Sequence, residues 1–165
     1  MKKNLALAVI DMQTEFFKKD ESRVSMKQSL EYINYVIDMF RKANRPIIFV
    51  ADEEAGEGIG SEGYQFYHEL NFTSDDVQIS KCFCNSFWDT KLDYILKEQG
   101  VELVVICGFA AEYCVYATYN GAIERGYNAL ILQHGIASTN TKYINMIETI
   151  SNTISYPALE YMSDS

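Results

Sequence analysis

At 165 residues, 48% of them hydrophobic and 22% charged, the chain has the size and balance of one globular domain spanning residues 1–165. Its net charge of −9, with Lys and Arg scattered rather than clustered, argues against nucleic acid as a partner. Apolar runs such as Leu103–Cys107 are far too short to span a bilayer, so no membrane partner is expected either.

Lys2 and Lys3 precede the apolar run Leu5–Ile10, which is shorter than a signal-peptide core and lacks a cleavage site. It reads as the first strand of a cytoplasmic protein. Leu30, Ile33, Val36, Ile37 and Phe40 form a helical stripe closed by Asn44 and Pro46. Further strands are expected at Ile47–Ala51, Val77–Ser80, Glu102–Cys107 and Asn128–Gln133. Leu92, Ile95 and Leu96 mark a second helix ending before Gly100. A third runs from about Glu112 to Arg125 and stops at Gly126, a natural left-handed cap. A fourth carries Tyr143, Ile144, Ile147 and Ile150, with Thr139 or Asn140 as its cap, and a sixth strand is expected near Pro157–Met162. Alternating strands and helices, with near-continuous apolar strands, predict an α/β fold: a parallel sheet covered on both faces.

Residues 52–76 break the pattern with a long Gly/Glu-rich link, the kind of segment that forms lids or mobile loops. Within it, Gly58-Ile-Gly60-Ser-Glu-Gly63 has the spacing of a dinucleotide fingerprint. It does not join a strand directly to a helix, and Asp52, Glu53, Glu54, Glu57 and Glu62 would repel a pyrophosphate. No cofactor is expected.

In open parallel sheets ligands bind beyond the carboxyl ends of the strands. The residues following the apolar runs are Asp11, Asp52, Lys81, Gly108 and His134, and four of these five are ionisable. Cys82, Cys84, Cys107 and Cys114 lack the pairing of a zinc site, and the chain size does not suggest a disulfide scaffold. Most of these thiols are expected to be small core residues, although a redox role for Cys82-x-Cys84 is open. Cys114 falls in the first turn of the third helix, where backbone amides, the helix dipole and Lys81 would lower its pKa. Asp11 could accept its proton. The same spacing fits a cysteine that merely packs helix against sheet.

Three stretches go further. They are Asp11-Met-Gln13-Thr-Glu-Phe16, then Lys81-Cys-Phe-Cys-Asn-Ser-Phe87-Trp-Asp-Thr90 with Leu92, then Gly108-Phe-Ala-Ala-Glu-Tyr-Cys114-Val115 continuing to Ala122 and Gly126-Tyr127. In order and spacing, from residue 5 to about 138, they resemble the isochorismatase-like cysteine hydrolases, which include nicotinamidases and carbamoyl-amide hydrolases. The resemblance implies a three-layer fold with six parallel strands in the order 3-2-1-4-5-6. It implies a catalytic triad of Asp11, Lys81 and Cys114 that cleaves a small amide-like C–N bond through a thioester. It also implies a cis peptide between Phe109 and Ala110, with the amides of Ala110 and Cys114 as an oxyanion hole, and a homo-oligomer of dimer size or larger.

Gln13, Phe16, Trp88, Phe109 and Tyr113 are candidate lining residues for a small-molecule substrate pocket. Nicotinamidases hold a metal with an Asp-x-His after the second strand. Here that stretch is Asp52-Glu53-Glu54 with no histidine until His68, so no metal is expected. The fifth strand, which ends in aspartate in the family, is expected to end at His134. Related members that cleave a vinyl ether lack the cysteine. A non-catalytic small-molecule binder on the same scaffold, or a metal-independent nicotinamidase-like or isochorismatase-like hydrolase, is the alternative.

Overall fold

The computed structural model describes residues 4–163. Its strands are β1 (Leu5–Ile10), β2 (Ile47–Asp52), β3 (Val77–Lys81), β4 (Leu103–Phe109), β5 (Asn128–Ala137) and β6 (Thr153–Ile154). They form one parallel sheet in the order β3-β2-β1-β4-β5-β6. The helices are α1 (Thr14–Lys18), α2 (Asp20–Lys42), α3 (Leu92–Glu98), α4 (Tyr116–Glu124), α5 (Thr141–Ile150) and α6 (Tyr156–Ser163). Among the described residues no helix is long and apolar enough to cross a membrane.

Every residue of β1 is buried because the central strand is covered on both faces. Successive side chains alternate between faces, so the strand feeds two cores. Leu5, Leu7 and Val9 pack with Met26, Leu30, Ile33, Ile37 and Phe40 of α2 and Leu159 of α6. Ala6, Ala8 and Ile10 pack with Leu92 and Leu96 of α3, Ala122 of α4 and Ile147 of α5.

Three sequence expectations change. Residues 157–162 are helical, and the sixth strand is the two-residue β6 just before them, paired with Ile131 and Leu132. Pro157 sits in the first turn of α6, where its missing N–H costs nothing, and Leu159 is fully buried against the core. The helix expected from Glu112 begins instead as a π-helical turn, Ala111–Val115, that gives way to α4. β5 does not end at His134. The β4–β5 register runs to Ile106↔Ile131 and resumes at Gly108↔Ile136, so β5 carries extra residues in a bulge that contains His134 at φ 64°. The His134 amide donates to the Glu148 carboxylate at 2.8 Å, and its ring lies 5.1 Å from that of Tyr32, between α2 and β5.

The 52–76 link is a packed loop tied to the start of α1. Thr14 and Glu15 donate backbone bonds to Gln65 and Gly63, Tyr67 donates to Met12, and Ala55, Tyr64 and Leu70 are buried.

Gly108, the penultimate residue of β4, has φ +116°. A Cβ there would lie 2.0 Å from the carbonyl oxygen of Ile10, so β4 can approach the end of β1 this closely only without a side chain. Gly108→Ala is expected to lower the free energy of unfolding by about 3 kcal/mol or more in urea titrations. Gly60→Ala, where φ is +92° but no atom lies within 4 Å, should cost only about 1 kcal/mol. Equal costs would contradict the close-approach account.

Candidate active site

Sheet register brings the strand ends together. β1 pairs Ile10 with Val50 on one side and with Gly108 on the other, and β2 pairs Asp52 with Lys81. Asp11 follows at φ 51°, a left-handed conformation that aspartate tolerates, with its amide bonded to the Val50 carbonyl at 2.9 Å. The segment after Gly108 crosses a cis peptide between Phe109 and Ala110 and enters the π-helical turn that carries Cys114.

The Lys81 side chain reaches inward from β3, and its ammonium is completely buried. Its Nζ lies 2.9 Å from Asp11 Oδ2, 3.2 Å from Asp52 Oδ2 and 3.3 Å from Cys114 Sγ. An ammonium has three hydrogens to donate, and here each has an acceptor. Burial works against the lysine's charge, but Asp11, Cys114 and Asp52 together outweigh it and hold its pKa above that of ordinary lysine.

Burial pushes the Asp11 carboxyl up to about 6, against the opposing pull of Lys81 and of the Cys114 contact, and the charge of Asp52 adds to the rise. Asp11 Oδ1 is buried with no hydrogen-bond partner at bonding distance among the described residues. The Cys114 thiol is pushed above the usual cysteine range by burial and then by the charge of Asp11; Lys81 pulls it only part of the way back. The sequence suggested a thiol lowered by Lys81 and by the helix end. The resting arrangement is instead a protonated thiol beside a buried carboxylate.

The other thiols divide differently from expectation. Cys107 is a core residue, fully buried. Cys82 and Cys84 are exposed, and Cys82 donates to Glu53 at 3.1 Å.

Of the five expected pocket residues, Gln13 is fully buried and its amide is consumed by backbone: Nε2 donates to the carbonyls of Asp52 (2.9 Å) and Tyr64 (2.8 Å), and Oε1 accepts from the Asp52 amide (2.8 Å). Phe16 and Phe109 pack ring on ring at 4.8 Å, and Tyr113 stands exposed beside Cys114. Trp88 lies in a surface groove with Phe83, Phe87, Asp89 and Arg125.

Asp52 is the residue that the triad leaves out. It was legible as a strand end, and its contact with Lys81 follows from their pairing in adjacent strands. One ligand atom each from Asp11, Asp52 and Cys114 lies within 4.8 Å of the others, a spacing that could hold a metal ion. The set does not suit one: the Lys81 ammonium bonds to all three, and His68 is an exposed residue beside Glu69.

A family model described as the isochorismatase domain matches residues 5–155. The chain belongs to the isochorismatase family. Members of this family are hydrolases. A solved structure of an isochorismatase family protein superposes with a TM-score of 0.84 at 29% identity, covering 94% of this chain and 100% of the other. The uncharacterized isochorismatase family protein YddQ of Bacillus subtilis is 26% identical over 140 residues, 81% of this chain and 78% of its own length. Streptothricin hydrolase of Streptomyces noursei is 25% identical over 137 residues, 81% of this chain and 49% of that protein.

Because folding raises the Asp11 pKa from 3.8 to about 6, the folded state holds this proton more tightly than the unfolded chain does. The group therefore favours the fold fully below its unfolded pKa, and that contribution is lost as the pH rises through the folded one. Asp11→Asn removes the pH-dependent term. Its stability relative to the native chain should rise by about 2–3 kcal/mol between pH ~4 and pH ~7, measured by urea unfolding. Parallel pH curves for the two proteins would contradict the raised pKa.

Proposed function

We propose that this member of the family is a cysteine hydrolase that cleaves a small amide-like C–N bond, with Cys114 as nucleophile, Asp11 as proton acceptor and donor, and Lys81 as the charge that holds them. The observation that carries the reading is the contact of one buried ammonium with both the Asp11 carboxylate and the Cys114 sulfur. The name of streptothricin hydrolase supports a hydrolytic reaction in a relative that matches most of this chain.

The protonation states favour a particular order of events. A carboxyl pushed to about 6 is ionised near neutrality yet is a far better base than an ordinary aspartate. As the sulfur attacks the substrate carbonyl, its proton passes to Asp11 and a C–S bond forms. Lys81 keeps the developing thiolate from being an isolated buried charge. The resulting oxyanion is held by the backbone amides of Ala110 and Cys114. Asp11 then gives the proton to the nitrogen, the C–N bond breaks, and the amine departs. Water next attacks the thioester carbonyl and loses a proton to Asp11, which returns it to the sulfur as the acid leaves. Each proton taken is given back, so the cycle needs no external acid or base. Tyr113, exposed and next to Cys114 in the chain, offers aromatic surface for a small substrate at this centre.

The test is a screen of primary amides, carbamoyl amides and lactams with the native chain and with Cys114→Ala. The proposal expects turnover of at least one of these classes, lost by about 10⁴-fold or more in the variant. Turnover that survives the substitution would contradict a cysteine mechanism.

A further inference from the structure

Lys81 stands between two carboxylates of unlike exposure. Asp11 is fully buried, whereas the Asp52 side chain retains 24% of its surface. The reaction proposed above uses Asp11 and leaves Asp52 without a task, although Asp52 makes the third bond to the ammonium.

The Asp52 side chain is held in place from several directions. Its Oδ1 accepts the Glu54 amide at 2.9 Å, a turn that fixes the carboxylate and leaves Oδ2 facing Lys81 at 3.2 Å. Its backbone amide and carbonyl both bond to the Gln13 side chain, at 2.8 and 2.9 Å. Gln13 lies two residues after Asp11, so the segment that carries the base also carries the clamp on its counter-charge. Building this requires a fully buried glutamine with its Nε2 and Oε1 both satisfied, a costly group to bury unless it is bonded in this way.

We propose that Asp52 and Gln13 are positioning residues for the reaction: Gln13 pins Asp52, and Asp52 anchors the Lys81 ammonium so that its charge is shared between two carboxylates rather than centred on Asp11 and Cys114. The inference rests on the cysteine-hydrolase reading and assigns roles that the Asp-Lys-Cys triad does not contain.

An ammonium centred on Asp11 and Cys114 would make the carboxylate a weaker base and the thiol more acidic. With Asp52 holding one of its hydrogens, Asp11 stays basic enough to take the proton only during attack. The charge of Asp52 acts on Asp11 in the same upward direction as burial. The ionisable groups facing this centre are Asp11 just after β1, Asp52 from β2, Lys81 from β3, Cys84 from the segment after β3, and Cys114 itself.

The readout is alkylation of Cys114 by iodoacetamide as a function of pH, followed by mass spectrometry of its own peptide so that Cys82 and Cys84 do not contribute. Removing a negative charge favours the thiolate, so Asp52→Asn should move the Cys114 alkylation profile to lower pH by about one unit. Asp52→Glu, which keeps the charge, should return the profile toward the native one. Gln13→Asn, which shortens the clamp, should shift it in the same direction by less, and it decides the matter if Asp52→Asn does not fold. A folded Asp52→Asn or Gln13→Asn protein with the native profile would overturn the positioning role. Amide turnover by the native chain that survives Cys114→Ala would overturn the cysteine-hydrolase reading itself, so the two failures are distinguishable.

Discussion

The candidate site depends on one buried ammonium. Burial opposes the charge of Lys81, and three acidic groups from three other segments converge on it and outweigh that penalty. Each of those groups depends on the ammonium in turn. Without it, two carboxylates and a thiol would crowd together with nothing to balance them, a far more expensive arrangement than the paired one. The cluster is therefore a constraint on the fold as well as a chemical device. It joins the ends of β1, β2 and β3 to the turn after β4.

Geometry at the sheet's carboxyl edge departs from regular structure where this cluster is assembled. Asp11 leaves β1 in a left-handed conformation, Gly108 passes against the Ile10 carbonyl where no side chain fits, and Cys114 sits in a π-helical turn. Local rules of helix and strand are broken at the positions that place the reactive groups, while both cores behind them follow the ordinary alternation of the pleat. The regular part of the molecule supplies the rigidity that holds the irregular part.

Much of this was legible in the sequence. Apolar runs located five strands, and the residues after them named Asp11, Lys81 and Asp52 as neighbours at one edge. What a linear pattern does not contain is register and depth. The contact between Asp52 and Lys81 follows from which residues pair across β2 and β3. Gln13 carries an amide that looked available to a ligand, and only the path of the 52–76 loop shows it spent on backbone. The Cys114 shift runs opposite to what spacing suggests, because spacing shows nearby charges but not burial, and burial is the larger effect here. The last strand is not legible because Pro157 fits a helix's first turn as well as a strand's start. β5 looked finished at His134 because a bulge hides the strand's continuation to Ala137.

The central claim is that Asp11 is a buried carboxylate of raised pKa, ionised near neutrality and facing a protonated thiol. The most direct measurement is a carbon-detected NMR titration of aspartate carboxyl resonances, with Asp11 assigned by its loss in Asp11→Asn. The account predicts a midpoint for Asp11 near 6, well above that of exposed aspartates in the same spectrum. A midpoint at or below the ordinary aspartate value of 3.8 would mean that Lys81 rather than burial dominates, and the proposed proton transfer would lose its base.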